Sequence, residues 1–246
     1  MRYLILSDIH GNWEALQAVL AHARSEYDSI LCCGDLVGYG ADPDAVTEWV
    51  RDNVTSIVRG NHDKAAAGLE DLEWFNPVAK RSALWTQAAM KPENIAYLRD
   101  LAKGPERVNG FQILHGSPLD EDEYVVTEYD VAQIAPYLDS EVSFFGHTHL
   151  QGVFLCHRNG IFTFGGVDQN SNDHPVELEN DASYLINPGS VGQPRDGDPR
   201  AAYAVYQPEA RLVTLFRTEY NVAATQKKIL QAGLPELLAT RLEAGV

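Results

Sequence analysis

Short apolar runs recur through the first 150 residues, and each stops at a small block of Asp, Asn or His. That repeated ending constrains the fold more than any other feature. The run at 3–6 leads into Asp8-Ile9-His10, and the run at 29–33 into Gly34-Asp35. The run at 55–58 leads into Arg59-Gly60-Asn61-His62-Asp63, 111–114 into His115-Gly116, and 142–145 into Gly146-His147-Thr148-His149. Short apolar runs bounded by turn residues read as buried strands, and helical periodicity separates several of them. Trp13, Leu16, Val19 and Leu20 share one helical face, predicting a helix near 13–24. Asp42-Pro43 has the form of an N-cap followed by proline at the first helical position, opening a helix to about residue 50. Such alternation predicts a layered α/β fold whose ligand-bearing loops converge on one rim of a sheet.

The region from Asp63 to about Lys103 is helical in character, with Pro77 and Pro92 at helix starts and Trp74, Trp85 and Tyr97 assigned to the core. Further strands are expected at 153–155, 161–164, 184–186, 202–206 and 212–216, too many for one sheet. The stretch 165–182 is polar with little periodicity and reads as a loop. A helical segment at about 222–242, broken at Gly233 and Pro235, closes the chain. One domain is expected over 1–246, with a helical insertion at about 64–104; there is no internal repeat.

The hydrophobic fraction of 45% and charged fraction of 22% are those of an ordinary globule. The net charge of −16 argues against generic binding to nucleic acid or anionic membrane, which draws on Lys and Arg clusters. No segment offers the roughly 18 consecutive apolar residues of a spanning helix, and no secretory leader is visible. Cys32, Cys33 and Cys156 lack CxxC spacing and read as small buried residues, which favours a reducing, cytoplasmic setting.

The polar blocks supply carboxylates from Asp8 and Asp35, imidazoles from His10, His115, His147 and His149, and an amide oxygen from Asn61. Taken alone, Asp8 and His10 are also ordinary turn residues, and Asn12 an ordinary helix start. On an extended backbone, residues two apart point to the same side, so Asp8 with His10 and His147 with His149 can each address one point. The donors suffice for two divalent ions if one carboxylate bridges, an arrangement suited to phosphoryl transfer. Oxygen and imidazole ligands without thiolate suit manganese, iron or zinc, with manganese favoured for activity.

The order Asp-x-His, Gly-Asp, Gly-Asn-His-Asp, His, Gly-His-x-His over residues 8–149 resembles the signature of the calcineurin-like metallophosphoesterase superfamily. The resemblance implies a four-layer α/β/β/α sandwich of two mixed sheets with a dinuclear metal centre at the strand ends. It would place Asp8, His10, Asp35 and His149 on the first metal. Asp35, Asn61, His115 and His147 would hold the second, with Asp35 bridging. A metal-bridging hydroxide would attack phosphorus, His62 would protonate the leaving alkoxide or stabilise the phosphoryl charge, and Asp63 would orient the His62 ring. The stretch NPGSVGQPRDGDPRAAYAV, residues 187–205, resembles a C-terminal block of the subfamily that holds small bacterial and archaeal phosphodiesterases. It is either a glycine-rich crossover or the source of a phosphate-binding charge, Arg195. Asn12 is either a helix cap or a phosphate donor, and Arg59 a phosphate contact or an ion-pairing residue.

Gly34-Asp35 is followed here by Leu36-Val37-Gly38-Tyr39-Gly40, and the third block ends in Asp63, departures from the protein Ser/Thr phosphatases of that superfamily. A small phosphodiester is the favoured substrate. A phosphomonoesterase, a protein phosphatase and a non-catalytic scaffold of the same fold are the alternatives, and an oligomer is compatible with the chain. The acidic run 120–123 is expected to be a solvated loop, and His22, His157 and His174 to lie outside the site.

Overall fold

The computed structural model describes residues 1–246, the side chain of Trp74 excepted; the expected core position of Trp74 therefore lies outside the described residues. The first half alternates as expected: β1 (Tyr3–Leu6), α1 (Trp13–His22), β2 (Ser29–Cys32), α2 (Pro43–Asn53) and β3 (Ser56–Ile57). Three helices follow, α3 (Asn61–Ala66), α4 (Pro77–Ala89) and α5 (Pro92–Asp100), the last two opening on the prolines that predicted them. Next come β4 (Glu106–Val108), β5 (Phe111–Ile113), α6 (Glu128–Ile134), β6 (Val142–Phe144), β7 (Gly152–His157) and β8 (Gly160–Gly165). The chain continues through β9 (Asp173–Glu177), β10 (Ser183–Asn187), β11 (Ala201–Gln207) and β12 (Leu212–Thr218) to α7 (Val222–Gln231) and α8 (Glu236–Ala244).

The strands form two mixed six-stranded sheets, ordered β3-β2-β1-β11-β12-β9 and β4-β5-β6-β10-β7-β8. The period of two in each strand assigns its side chains to two cores. Leu4 and Leu6 pack with Ala15, Leu16 and Val19 of α1 on the outer face of the first sheet. Tyr3 and Ile5 pack with Phe111, Ile113, Phe144 and Ile186 between the sheets. Beyond the second sheet, Leu114, Phe145 and Leu185 cover Val131 and Ile134 of α6. The layers thus run α/β/β/α, the predicted sandwich. Among the described residues no helix is long and apolar enough to cross a membrane.

The polar stretch expected to be a loop contains β9, which adds an edge to the first sheet by pairing with β12. Its side chains alternate between exposed and half-buried, but only Val176 is strongly apolar, so the period leaves little trace in composition. Pro175 is tolerated because an edge strand needs only one of its hydrogen-bonding rows. Strand β4 and helix α6 also escape a periodicity reading, being short. The signal for α6 was a capping box, in which the Thr127 side chain accepts from Asp130 N while the Asp130 carboxylate accepts from Thr127 N.

The ligand-bearing blocks follow β1, β2, β3, β5 and β6, which run parallel within their own sheets. The β10–β11 crossover passes from one sheet to the other across these loops. Val191 N donates to Ser7 O at 3.0 Å, Gly192 N to Asp8 O at 3.0 Å, and Asn187 Nδ2 to Gly146 O at 3.0 Å.

Candidate metal centre

The backbone under the donors is not extended. Asp8, His10, Asp35, His147 and His149 have φ of 52°, 50°, 55°, 66° and 60°. Each lies in the left-handed region that non-glycine residues rarely enter and that is held only where surrounding structure over-determines it. Asp8 N donates to Gly34 O at 3.0 Å, His10 N to Asp35 O at 3.0 Å, and Gly11 N to Leu36 O at 2.8 Å. The paired ligands therefore converge through tight turns locked to the adjacent loop, which corrects the expectation of strand alternation. Close approach also explains two glycines. A Cβ on Gly60 would meet Asp35 Oδ1 at 2.0 Å, and one on Gly146 would meet Ser7 Oγ at 2.0 Å.

Asp8, His10, Asp35 and His149 each bring a donor atom within 4.8 Å of the others, as do Asp35, His115 and His147; Asp35 belongs to both sets. All are buried. Asp8 Oδ1 lies 3.3 Å from His149 Nε2, and Asp35 Oδ2 lies 3.6 Å from His10 Nε2 and 3.5 Å from His115 Nε2. Asn61 Oδ1 joins the second set at 3.3 Å from His115 Nε2.

The outer nitrogens reveal what the inner ones are for. Nδ1 of His10, His149 and His115 lies 3.0, 2.6 and 2.8 Å from the carbonyl oxygens of Val37, Gln193 and Cys33. A carbonyl oxygen only accepts, so each Nδ1 carries a proton and each Nε2 is left to offer a lone pair inward. His10 Nε2 and His149 Nε2 then face each other at 3.0 Å. Two atoms each about 2.0–2.2 Å from one ion stand roughly 3 Å apart, so the pair has the spacing of two ligands of a common cation. His147 is reversed: its Nε2 lies 3.0 Å from Asp122 O, which leaves Nδ1 as its donor. The donor set fits a divalent metal.

Electrostatics agree. Burial opposes charge on Asp8 and Asp35, yet neighbouring imidazoles outweigh it and hold both carboxyls well below the usual range. Burial keeps His10, His147 and His149 neutral, His147 down at about 3. His115 is the exception: burial would lower it, but Asp35 and Asp8 push it up to about 10. The buried carboxylates thus recruit a proton onto a ring whose Nε2 is also a donor, and a cation displaces that proton. Titrating manganese calorimetrically into chelator-treated protein at pH 8, in buffers of different ionisation enthalpy, is expected to show release of about one proton per chain. Because the folded pKa of His115 lies near 10, affinity rises with pH below that value. Uptake of metal with no proton release would contradict this assignment.

His62 projects beside the donors, its ring 5.0 Å from that of His10, 4.3 Å from Tyr39 and 5.6 Å from Phe75. Burial brings it down to about 4, and its Nδ1 is buried with no hydrogen-bond partner among the described residues. Asp63 does not reach that ring, contrary to expectation. Its Oδ2 accepts from Asp35 N at 2.9 Å and Gly60 N at 3.0 Å; its Oδ1 accepts from Leu36 N at 2.8 Å and Val37 N at 3.3 Å. Asp63 sits at the third position of α3, from which its carboxylate reaches back to the Gly34-Asp35 turn.

The Asn12 amide is also spent elsewhere. Oδ1 accepts from Ala15 N at 3.1 Å, capping α1, and from Thr225 Oγ1 at 3.0 Å, while Nδ2 donates to Gly192 O at 2.9 Å. It is a cap and crosslink, not a free phosphate donor. Arg59 is bound to Glu121 at 2.9 Å. Nor is the acidic run a solvated loop throughout: Glu121 is 6% exposed, and Lys64 pairs with Glu121 and Asp122. Arg195 Cζ lies 5.7 Å from the centre of the Tyr39 ring. His22, expected to lie outside the site, hydrogen-bonds the Tyr203 hydroxyl through Nδ1 at 2.7 Å.

A cavity of about 260 Å³ opens beside the donors, lined by Asn61, His62 and His147, by the aromatic residues Tyr39, Phe75 and Tyr124, and by Asn76, Glu70 and Asp122. No spacing rule marked the aromatic residues, which come from three separate loops. The Gly38-Tyr39-Gly40 context, with Tyr39 at φ 63°, was the one local sign of an unusual turn.

The model of the calcineurin-like phosphoesterase superfamily domain matches residues 1–211. The uncharacterized protein MJ0912 of Methanocaldococcus jannaschii is 36% identical, over 98% of this chain and 97% of its own. The crystal structure of a metallophosphoesterase from Sphaerobacter thermophilus is 38% identical with a TM-score of 0.88, covering 100% of this chain and 99% of that one. That of the hypothetical protein PH1004 from Pyrococcus horikoshii shares the fold at 20% identity and a TM-score of 0.78, over 100% and 98% of the two chains. With buried carboxylates and imidazoles gathered at the ends of parallel strands, and with these matches spanning its length, the chain belongs to the calcineurin-like phosphoesterase superfamily.

Proposed function

We propose that the protein hydrolyses a small-molecule phosphodiester at a dinuclear centre, with manganese as the activating ion. The observation that carries this reading is Asp35, one buried carboxylate common to two donor sets at the edge of one cavity. Asp8, His10, Asp35 and His149 would hold one ion, and Asp35, Asn61, His115 and His147 the other. Such ions supply positive charge to phosphoryl oxygens and lower the pKa of an attacking water.

His62 is neutral at pH 7 and faces the same cavity. A phosphoryl anion placed beside it raises the ring's proton affinity, so that it can hand a proton to the departing oxygen. Tyr39, Phe75 and Tyr124 offer ring faces for the organic arms of an ester. Glu70 and Asp122 share the single ammonium of Lys64, and the net negative charge they leave on this wall favours a singly charged diester over a dianionic monoester. Cys32 and Cys33, free and buried under the centre, accord with a reducing, cytoplasmic setting.

Manganese-loaded protein is expected to hydrolyse bis(p-nitrophenyl) phosphate with kcat/KM at least ~10-fold above that for p-nitrophenyl phosphate, the factor of about 1.4 kcal/mol that one repulsive charge readily supplies. His62→Ala is expected to lower kcat by ~10²–10⁴ while metal content per chain, read by mass spectrometry, stays at the wild-type value. No metal-dependent turnover of any phosphate ester would sink the proposal.

A further inference from the structure

We infer that Arg59, Lys64 and Glu121 form a buried ion-pair clamp that fixes the Asp122 carbonyl and, through it, the ring of His147, which makes these three residues positioning residues for the second metal ion. The inference rests on the two-ion reading above and extends it to residues outside both donor sets.

The outer nitrogen of His147 depends on the carbonyl of Asp122, which belongs to a segment, 117–124, with no strand or helix of its own. Hydrogen bonds within that segment close it into a turn. Ser117 N donates to Asp120 O at 2.8 Å, Asp120 N to Ser117 Oγ at 3.0 Å, and Asp122 N to Asp120 Oδ1 at 3.0 Å. A turn closed on itself sets its own shape but not its place against the rest of the chain. Among the described residues, the hydrogen bonds and ion pairs that join 117–124 to other elements are those of Arg59, Lys64 and His147. The carbonyl that orients His147 is therefore held where Arg59 and Lys64 hold it.

Arg59 grips both oxygens of Glu121, from Nη2 to Oε1 at 2.9 Å and from Nε to Oε2 at 3.3 Å, the fork geometry that fixes a carboxylate in plane. Lys64 Nζ lies 3.4 Å from the same Oε1 and pairs with Asp122 and Glu70. Glu121 is 6% exposed and Lys64 8%. Burial opposes the charge on Lys64, yet Asp122 and Glu70 outweigh it and hold the ammonium above its ordinary value. Desolvation offsets most of the attraction in a buried ion pair, so such a network contributes position more than net stability. Lys64 stands on α3, which opens on Asn61. The clamp thus spans from the element that carries Asn61 to the carbonyl that aims His147, and both are donors of the second set.

The donors confined to the first set receive nothing from this segment. Nδ1 of His10 and of His149 is held by Val37 O and Gln193 O, and Asp8 accepts from Ser7 Oγ and His147 N. Loosening the clamp therefore acts on one ion of the two. Loss of the partner that fixes a ligating imidazole typically lowers metal affinity ~10–100-fold. The clamp also resolves two features of the sequence. Arg59, open between a phosphate contact and an ion pair, is spent on Glu121 and is absent from the cavity lining, and the acidic run 120–123 is drawn inward by two cations.

The test titrates manganese calorimetrically into chelator-treated, full-length protein, with the spin-coupled signal of a manganese pair followed by electron paramagnetic resonance. Lys64→Met and Glu121→Gln are each expected to weaken the second binding step by ~10–100-fold, to leave the first within about threefold of wild type, and to lose the coupled signal at manganese concentrations that saturate wild type. Charge alone predicts otherwise: removing the Lys64 ammonium strengthens attraction for a cation, whereas neutralising Glu121 weakens it. A fall in both variants therefore reports geometry. Lys64→Arg is expected to restore part of the second step, and Lys91→Met, which breaks an exposed pair with Glu48, to leave both steps unchanged. Where Lys64→Met does not fold, Arg59→Met carries the same test of sign. A second step that is unchanged or tighter in Lys64→Met or Arg59→Met overturns the clamp alone, as does equal weakening of both steps, the mark of a loosened fold. Wild-type protein that binds a single ion overturns the two-ion reading and the clamp with it.

Discussion

Asp35→Asn is expected to lower metal-dependent kcat/KM by at least ~10³, about 4 kcal/mol of transition-state stabilisation, and to reduce bound metal per chain. The side chain is 1% exposed and has two separate tasks. Oδ1 accepts from His62 N at 2.8 Å, which an asparagine oxygen can still do. Oδ2 faces His10 Nε2 at 3.6 Å and His115 Nε2 at 3.5 Å, where an amide NH₂ would replace an anionic donor with hydrogen-bond donors. The substitution also removes a negative charge that both donor sets share, in surroundings where charge is poorly screened. His62→Ala provides the contrast, since it leaves the donors intact. Asp35→Asn protein with wild-type metal content and turnover would remove Asp35 from the centre.

Asp63→Ala is expected to destabilise the protein by about 4 kcal/mol, because it strands several buried backbone N–H groups at once. A loss of that size corresponds to a fall in Tm of roughly 8–16 °C for a chain of this length. The four donors are the N–H groups of Asp35, Leu36, Val37 and Gly60, all held by one carboxylate that is 0% exposed. Asp63→Asn is expected to fare little better, since its NH₂ would face one pair of these N–H groups. Metal affinity should fall with stability, as the Asp35 turn loses its anchor. Thermal melts with and without manganese check both effects. A variant that melts like wild type and is impaired only in kcat would instead mean that Asp63 acts through the His62 ring.

The strands were legible because apolar runs facing a core on each side remain apolar throughout, as at 3–6, where alternate residues enter two separate cores. Helices α4 and α5 were legible from Pro77 and Pro92, which cannot sit in a helix interior. Strand β9 was not, because an edge strand buries little of either face. The polar blocks stood out by recurrence: any one of them reads as an ordinary turn, but five carrying metal-ligand side chains each follow an apolar run between residues 3 and 149. Those local features mark where the chemistry of this chain resides.

How those blocks meet is a property of packing. Left-handed turns at Asp8, His10, Asp35, His147 and His149 are set by hydrogen bonds to neighbouring loops that are distant in the chain. The same packing turns Asp63 toward four N–H groups and spends Asn12 as a crosslink to Thr225. Local sequence specifies backbone preference and side-chain chemistry, which act over a few residues. Direction, tautomer and partner depend on groups 25 to more than 200 positions away, and only the folded chain brings those together.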